Sequence, residues 1–357
     1  MLNYHIEHVM VEEINELKSC VCQTVSDQLA GRKVRIFFDR AFTRWMFNIV
    51  KAGKNPFTDD LTVNDLIMQP DVRYFFQTNP NIPMSDIDWS DVERKLESIS
   101  ALRRMMYEVP LEVSREELRV EFSNDEVIYT RGGYEYIMKR SQWELAKRKY
   151  NGPREDFNEL VCLMLARYIA CGTTRNHCSA PPEVIEFSRA RCELFGSPIN
   201  TVLSEYCSAF SDIERFFGSM GSFFDFEFSS GVYFMNPPYD ESLILDATKR
   251  VFEAMDSGIE FTVIAVLPVW DVESQERHRG RIHVEKQFEA FELINNSEYM
   301  QSHYVMNYRD FYFYNYYTDS FTPVADTHLI VISNTDYHFT ASEIAMVWKR
   351  ATRKSKT

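Results

Sequence analysis

Residues 234–242 read FMNPPYDES. The residues just before the prolines, Val232 to Met235, are apolar and few, as in a buried strand, while Glu241 onward has helical spacing. Two successive prolines sit at the join. Each lacks a backbone donor and fixes its own φ, so the pair ends a hydrogen-bonded ladder and holds the following atoms stiffly. In an open α/β sheet, the carboxyl ends of the strands are where ligands bind. The same rhythm extends outward along the second half of the chain. Cys192 to Phe195, Val232 to Met235, Phe261 to Leu267 and His328 to Ser333 read as strands, and Glu241 to Met255 and Glu343 to Arg350 as helices. That alternation predicts an α/β fold with a mostly parallel sheet covered by helices.

The first half reads differently. Val11, Ile14, Leu17, Val21 and Val25 recur at helical spacing, as do Phe38, Phe42, Trp45, Met46 and Ile49. A third helix is expected from Asp91 to Tyr107, with Val92, Leu96, Ile99 and Leu102 on one face and Ser90 as its N-cap. Alternation around Arg131-Gly132-Gly133 suggests a hairpin, and Phe157 to Ala170 an apolar helix. Asn151-Gly152-Pro153 is the clearest break, which divides the chain into a mainly helical domain, 1–150, and a sheet domain, 151–357.

Composition narrows the functional classes. The 357 residues, 45% of them hydrophobic, suffice for two cores. No apolar run is long enough to span a bilayer, and MLNYHIEHVMVEE carries charges where a signal peptide needs an apolar core, so neither a membrane nor that secretory route is expected. Seven scattered cysteines fit a reducing compartment inside the cell, nuclear or cytoplasmic. A formal net charge of −14 argues against a broadly basic nucleic-acid-binding face, so any such site is local. Basic residues do cluster at Lys147 to Lys149, between Arg277 and Lys286, and in the tail KRATRKSKT, as solvated loops and tails also do. Cys171, His177 and Cys178 lack the spacing of a zinc site, and no metal is expected.

The chemistry suited to the 236–239 tip is delivery of an electrophilic methyl group to a weakly nucleophilic exocyclic amine. Two acceptors can take the amine hydrogens and turn the nitrogen lone pair toward the donor. Asn236 offers an amide oxygen, Pro237 a carbonyl held by the rigid Pro237-Pro238 pair, and Tyr239 a ring on which a base can stack. The same tetrapeptide also serves as an ordinary strand-ending turn. A donor pocket is expected at the end of the sheet's first strand, where CELFGSPIN, 192–200, places Glu193 before the Gly196-Ser197 turn. Glu193 can accept from a donor hydroxyl or amine, though a plain turn has this form too.

Several elements in order now resemble a known family. Phe195 to Asn200 (FGSPIN), Tyr206 to Phe210 (YCSAF), Phe217 to Ser219 (FGS), Asn236 to Tyr239 (NPPY) and Leu267 to Trp270 (LPVW) resemble the methyltransferase core of the phosphorylated CTD-interacting factor family. The likeness is dense from about Glu193 to Trp270 and thin in the first half. It implies a Rossmann-like class I fold dependent on S-adenosyl-L-methionine, with the first half a lid over an RNA groove. It also implies methylation of N6 of the 2′-O-methylated adenosine next to the 7-methylguanosine cap of mRNA, so that capped RNA beginning with adenosine is the partner.

Residue by residue, the resemblance implies that Asn236, Pro237, Pro238 and Tyr239 hold the target adenine. Glu193, Phe195, Gly196, Ser197, Asn200 and Asn236 would line the donor pocket, and Tyr239, Glu241 and Trp270 contact substrate. Trp270 serves equally as a half-buried core residue, and Glu241 as a first-turn helix acid. Tyr239 stands where the animal proteins carry Phe, and Asp271 where a basic residue is expected. No WW module is recognisable, so recruitment to a phosphorylated polymerase tail is not expected. Arg40, Arg44 and Phe47 share a helix face able to grip RNA, but a solvated face explains them better. The other readings are a DNA or internal-RNA adenine N6-methyltransferase and an inactive relative that only binds capped RNA; a glutamine-modifying protein methyltransferase shares the tip, but the glycine-rich donor loop expected there does not appear.

Overall fold

The computed structural model describes residues 4–28, 35–52, 88–108, 117–171, 177–270 and 288–354. They fall into two compact units, 1–137 with 152–174, and 138–151 with 175–357. The expected division at 150/151 differs from this at both ends of the Asn151-Gly152-Pro153 break. The apolar helix beyond the break stays with the first unit, and the helix before it goes with the second.

The first unit contains α1 (Tyr4–Gln28), α2 (Arg35–Lys51), α3 (Ser90–Glu108) and the sheet β1 (Arg119–Phe122), β2 (Glu126–Arg131) and β3 (Tyr134–Lys139), in that order, with Met138 and Lys139 at the end of β3 counted to the second unit. Of the next two helices, α4 (Arg140–Lys149) belongs to the second unit and α5 (Phe157–Ala170) to the first. The helical spacing read from sequence is the buried face: Val11, Ile14, Leu17 and Val21 of α1, Phe42, Trp45 and Met46 of α2, and Val92, Leu96 and Ile99 of α3. α1 packs on α2, α3 and α5. Ser90 is not the cap of α3. Ser90 is instead its first residue, and its N–H donates to Asp88 Oδ1 at 3.0 Å. Gly132 and Gly133 turn β2 into β3 with φ of 59° and 82°, a two-residue loop that side-chain-bearing residues adopt only with strain.

The second unit adds β4 (Cys178–Ser179), α6 (Pro182–Ser188), β5 (Cys192–Glu193), β6 (Glu205–Tyr206), β7 (Gly231–Met235), α7 (Glu241–Asp256) and β8 (Phe261–Pro268). After these come α8 (Glu289–Asn295), β9 (Met300–Met306), β10 (Phe313–Asn315), β11 (Ser320–Thr322), β12 (Thr327–Ser333) and α9 (Ala341–Lys354). The main sheet has the order β6-β5-β7-β8-β12-β9. β6, β5, β7 and β8 are parallel, but β12 runs antiparallel between β8 and β9. The sheet is therefore mixed: three of its five pairings are parallel, in line with the expected mostly parallel sheet, and the two made by β12 are antiparallel. β10 pairs with β11 on one side and β4 on the other.

Both faces of the main sheet are covered, which is why β8 and β12 are buried along their whole length. Alternate residues serve opposite cores. Tyr233, Met235, Val263, Ala265 and Ile330 pack with Ile244, Val251 and Ile294 of α7 and α8. Phe234, Ile264, Val266 and Val331 pack with Ile185 of α6 and Ile344 and Trp348 of α9. Trp348 is fully buried and its indole N–H donates to the Tyr312 carbonyl at 2.7 Å, so truncating it to Ala costs about 3–5 kcal/mol. Among the described residues no helix is long and apolar enough to cross a membrane.

Candidate functional site

β5 has β6 on one flank and β7 on the other. The chain thus builds outward in one direction from β5 and later returns to add β7 and β8 on the opposite side. Such a reversal opens a crevice at the carboxyl ends of the two central strands, where α/β sheets hold ligands. The loops leaving β5 and β7 start side by side, the Leu194 N–H donating to the Phe234 carbonyl at 2.8 Å.

The segment 236–240 turns β7 into α7. Asp240 caps the helix, its Oδ1 accepting from the Leu243 N–H at 3.0 Å, and its own N–H donates to the Pro238 carbonyl at 2.7 Å. Strand and cap therefore clamp both ends of a stretch whose two prolines cannot donate. Asn236 is half-buried, and its Nδ2 donates to the Cys178 carbonyl of β4 at 3.1 Å. That bond decides which way the amide faces. It commits the donor and leaves Oδ1 an acceptor with no partner among the described residues. The Pro237 carbonyl likewise accepts no hydrogen bond among them. Two unused acceptors thus stand on adjacent, rigidly held residues, as amine recognition requires.

Aromatic rings flank this corner. Tyr239 meets Trp270 edge to face at 6.2 Å between centroids, and Trp270 meets Phe288 at 5.4 Å. Trp270 is half-buried and packs on the core, so it is partly the core residue of the plainer reading and partly open to a ligand. The Tyr239 hydroxyl is buried with no hydrogen-bond partner among the described residues, and burial pushes its pKa up, so the phenol stays neutral. Glu241 is half-buried in the first turn of α7.

The loop after β5 is organised differently. Glu193 is 1% exposed and accepts from the Ser179 hydroxyl at 3.0 Å. Burial pushes its carboxyl up to about 7, because hydrogen bonds from Thr201 and Ser179 and the Lys149 charge offset only part of the lost hydration. The Gly196 N–H donates to the Cys207 carbonyl at 2.8 Å and the Ser197 N–H to Asn200 Oδ1 at 2.6 Å. Both amides of the turn are thus already engaged. The Ser197 hydroxyl is buried without a partner among the described residues. Gly196 sits close to its neighbours: a Cβ there would lie 3.2 Å from the Cβ of Tyr206, a tight contact. Phe195 is half-buried against Phe223, 4.8 Å between centroids.

β4 ties the two loops together, and sequence reasoning missed it. Cys178 holds Asn236 through its carbonyl, and Ser179 holds Glu193 through its hydroxyl. The sequence had singled out Cys178 only to test for zinc. Its neighbour His177 is buried, its ring stacked on Tyr317 at 6.1 Å, and burial lowers its pKa to about 4. Among the described residues no group of three or more His, Cys, Asp or Glu could hold a metal ion. Asp271 and the cluster from Arg277 to Lys286 lie outside the described residues, as does the side chain of Arg40; Arg44 and Phe47 are half-buried on α2.

A mixed α/β unit with a rigid, acceptor-bearing corner at its strand-order switch is what these residues define. Residues 140–316, just under half of the chain, match the model of the family described as "Phosphorylated CTD interacting factor 1 WW domain". The Mus musculus and Homo sapiens proteins named mRNA (2'-O-methyladenosine-N(6)-)-methyltransferase are each 40% identical to it over 80 residues. That alignment covers 22% of this chain and 11% of each relative, so the chain matches only a small part of their length. The expectation of a chain without the WW module, and so without WW-mediated contact, is not borne out. The matching family model is itself described as a WW domain and overlies the sheet-bearing segment, whereas the sequence reading looked for a separate module ahead of it.

Proposed function

We propose that this chain is a member of that family with a Rossmann-like methyltransferase core. In this reading it methylates N6 of adenosine, the substrate being capped mRNA whose first transcribed nucleotide is (2′-O-methyl)adenosine. The observation that carries the reading is the Asn236 amide, held by the Cys178 carbonyl so that Oδ1 and the Pro237 carbonyl remain as two acceptors at the switch point. The match over 140–316 and the names of the two mammalian relatives support the same chemistry.

The residues present fit S-adenosyl-L-methionine. Glu193 would accept from its hydroxyls or amine, the buried Ser197 hydroxyl would gain a partner, and Phe195, Gly196 and Asn200 would shape the pocket. When bound, it supplies an electrophilic methyl group on a sulfonium. The protein's own contribution is orientation: Asn236 Oδ1 and the Pro237 carbonyl take the two amine hydrogens, and Tyr239 and Trp270 stack the extruded base. No strong base is needed before transfer, because the amine proton becomes acidic once the nitrogen is alkylated. Glu241 would contact the substrate from the first turn of α7.

The test is methyl transfer to capped RNA beginning with adenosine, beside uncapped RNA and DNA. Transfer to the capped RNA alone is the expected result. Transfer confined to DNA would overturn the substrate assignment, and absence of donor binding would overturn the enzymatic reading.

A further inference from the structure

Lys149 ends α4, after Lys147 and Arg148, but its surroundings differ from theirs. Lys147 lies over the Trp143 ring at 4.4 Å and Arg148 is exposed. The Lys149 ammonium instead points inward, donating to the Thr201 carbonyl at 2.6 Å and lying 4.8 Å over the Tyr206 ring. Burial pulls its pKa down to about 8, opposed by the nearby carboxylate of Glu193. A lysine is rarely taken out of water without a partner. Here it reaches the far end of the loop 195–201 at the Thr201 carbonyl and lies within the influence of the Glu193 charge.

We propose that Lys149 is a positioning residue for the methyl donor: its ammonium, held by the Thr201 carbonyl over the Tyr206 ring, closes the 195–201 loop from behind and supplies the countercharge to Glu193, which accepts a hydrogen bond from the donor. This rests on the reading of that loop as the donor pocket. The groups facing Glu193 are few. Lys149 comes from α4, the Ser179 hydroxyl from β4, the Thr201 hydroxyl from the loop, and the Tyr316 phenol from just beyond β10. Arg148 adds a weaker positive field at Lys149, and Glu183 of α6 faces Tyr316. Lys149 is the one cation among those acting on Glu193 in the described residues, so its removal leaves the carboxylate without a countercharge.

The experiment is calorimetric titration of the full chain with S-adenosylmethionine from about pH 6 to about pH 8.5, for wild type, K149R, K149M and E193Q. Wild-type affinity falls as pH drops below about 7, where Glu193 takes up a proton. K149R keeps that profile. K149M moves the midpoint up by roughly one pH unit, and E193Q, neutral throughout and closely isosteric, shows no midpoint in this range. A K149M profile with the wild-type midpoint, even at reduced affinity, would make the lysine merely structural and overturn the proposal. Should K149M fail to fold, E193Q decides: a wild-type midpoint in E193Q also overturns it. Wild-type protein that binds no donor at any pH would instead remove the donor-pocket reading itself.

Discussion

The loops leaving β5 and β7 begin side by side yet differ in what they leave unused. The 236–240 corner commits the Asn236 amide donor and the Asp240 N–H and keeps two acceptors, Asn236 Oδ1 and the Pro237 carbonyl, without partners among the described residues. In the 193–201 loop the Gly196 and Ser197 amides, the Asn200 side chain and Glu193 are all engaged within the chain, and the Ser197 hydroxyl is left without a partner among the described residues. A ligand at the corner adds hydrogen bonds. A ligand at the loop, apart from the Ser197 hydroxyl, must exchange them, so its affinity depends on how cheaply the internal ones give way.

The sharpest way to break this contrast is Asn236→Ala, which removes an acceptor and the bond that holds it. Methyl transfer to capped RNA is expected to fall about 100-fold or more, while stability changes by about 1 kcal/mol; a near-normal initial rate would remove Asn236 from the mechanism. Next comes the acid range. The folded pKa of Glu193 is raised, so its contribution to stability is full below the unfolded value of 4.5 and is lost as pH rises through about 7. Wild type compared with Glu193→Gln should therefore lose roughly 3 kcal/mol of relative stability between pH 4.5 and 7, read from denaturant midpoints at each pH. A constant difference would mean that the carboxyl is not buried as described.

Trp270→Ala tests the aromatic wall and is expected to weaken capped-RNA binding by about 1–3 kcal/mol, measured by fluorescence anisotropy, with little change in donor affinity. An unchanged RNA affinity would leave Trp270 a core residue alone. The smallest effect belongs to Ser179→Ala, which deletes one hydrogen bond to Glu193 and should weaken donor binding by about 1 kcal/mol in calorimetry. A larger loss of RNA binding than of donor binding would show that β4 serves the corner first.

What could be read in advance follows from how each feature is written in side chains. β7, β8 and β12 carry unbroken apolar runs because both faces of the sheet are covered, and the paired glycines at 132 and 133 mark their hairpin. The same burial hid the direction of β12, since a strand buried on both faces has no pattern that distinguishes parallel from antiparallel pairing. β9 is the outer strand and mostly half-buried or exposed, so MQSHYVM gives no clear alternation. β4 and β6 have two residues each and exist only through their partners.

The site divides in the same manner. Pro237-Pro238 announces a rigid corner, whereas the carbonyl that aims Asn236 belongs to a main-chain atom that any residue would supply. Lys149 read as one of three surface cations because nothing in KRK tells which member is turned inward. The Gly196-Ser197 turn was visible, but not that Cys207 and Asn200 would occupy its amides.

The two-residue strand β4 has one more consequence. Neighbouring strand positions point opposite ways, and here one contributes main chain and the next a hydroxyl to separate halves of the crevice. Adding or deleting a single residue between His177 and Pro181 would rotate the serine away and displace the carbonyl together. This short span is thus intolerant of length variation, and one frame-preserving indel would remove the supports of Asn236 and Glu193 at once.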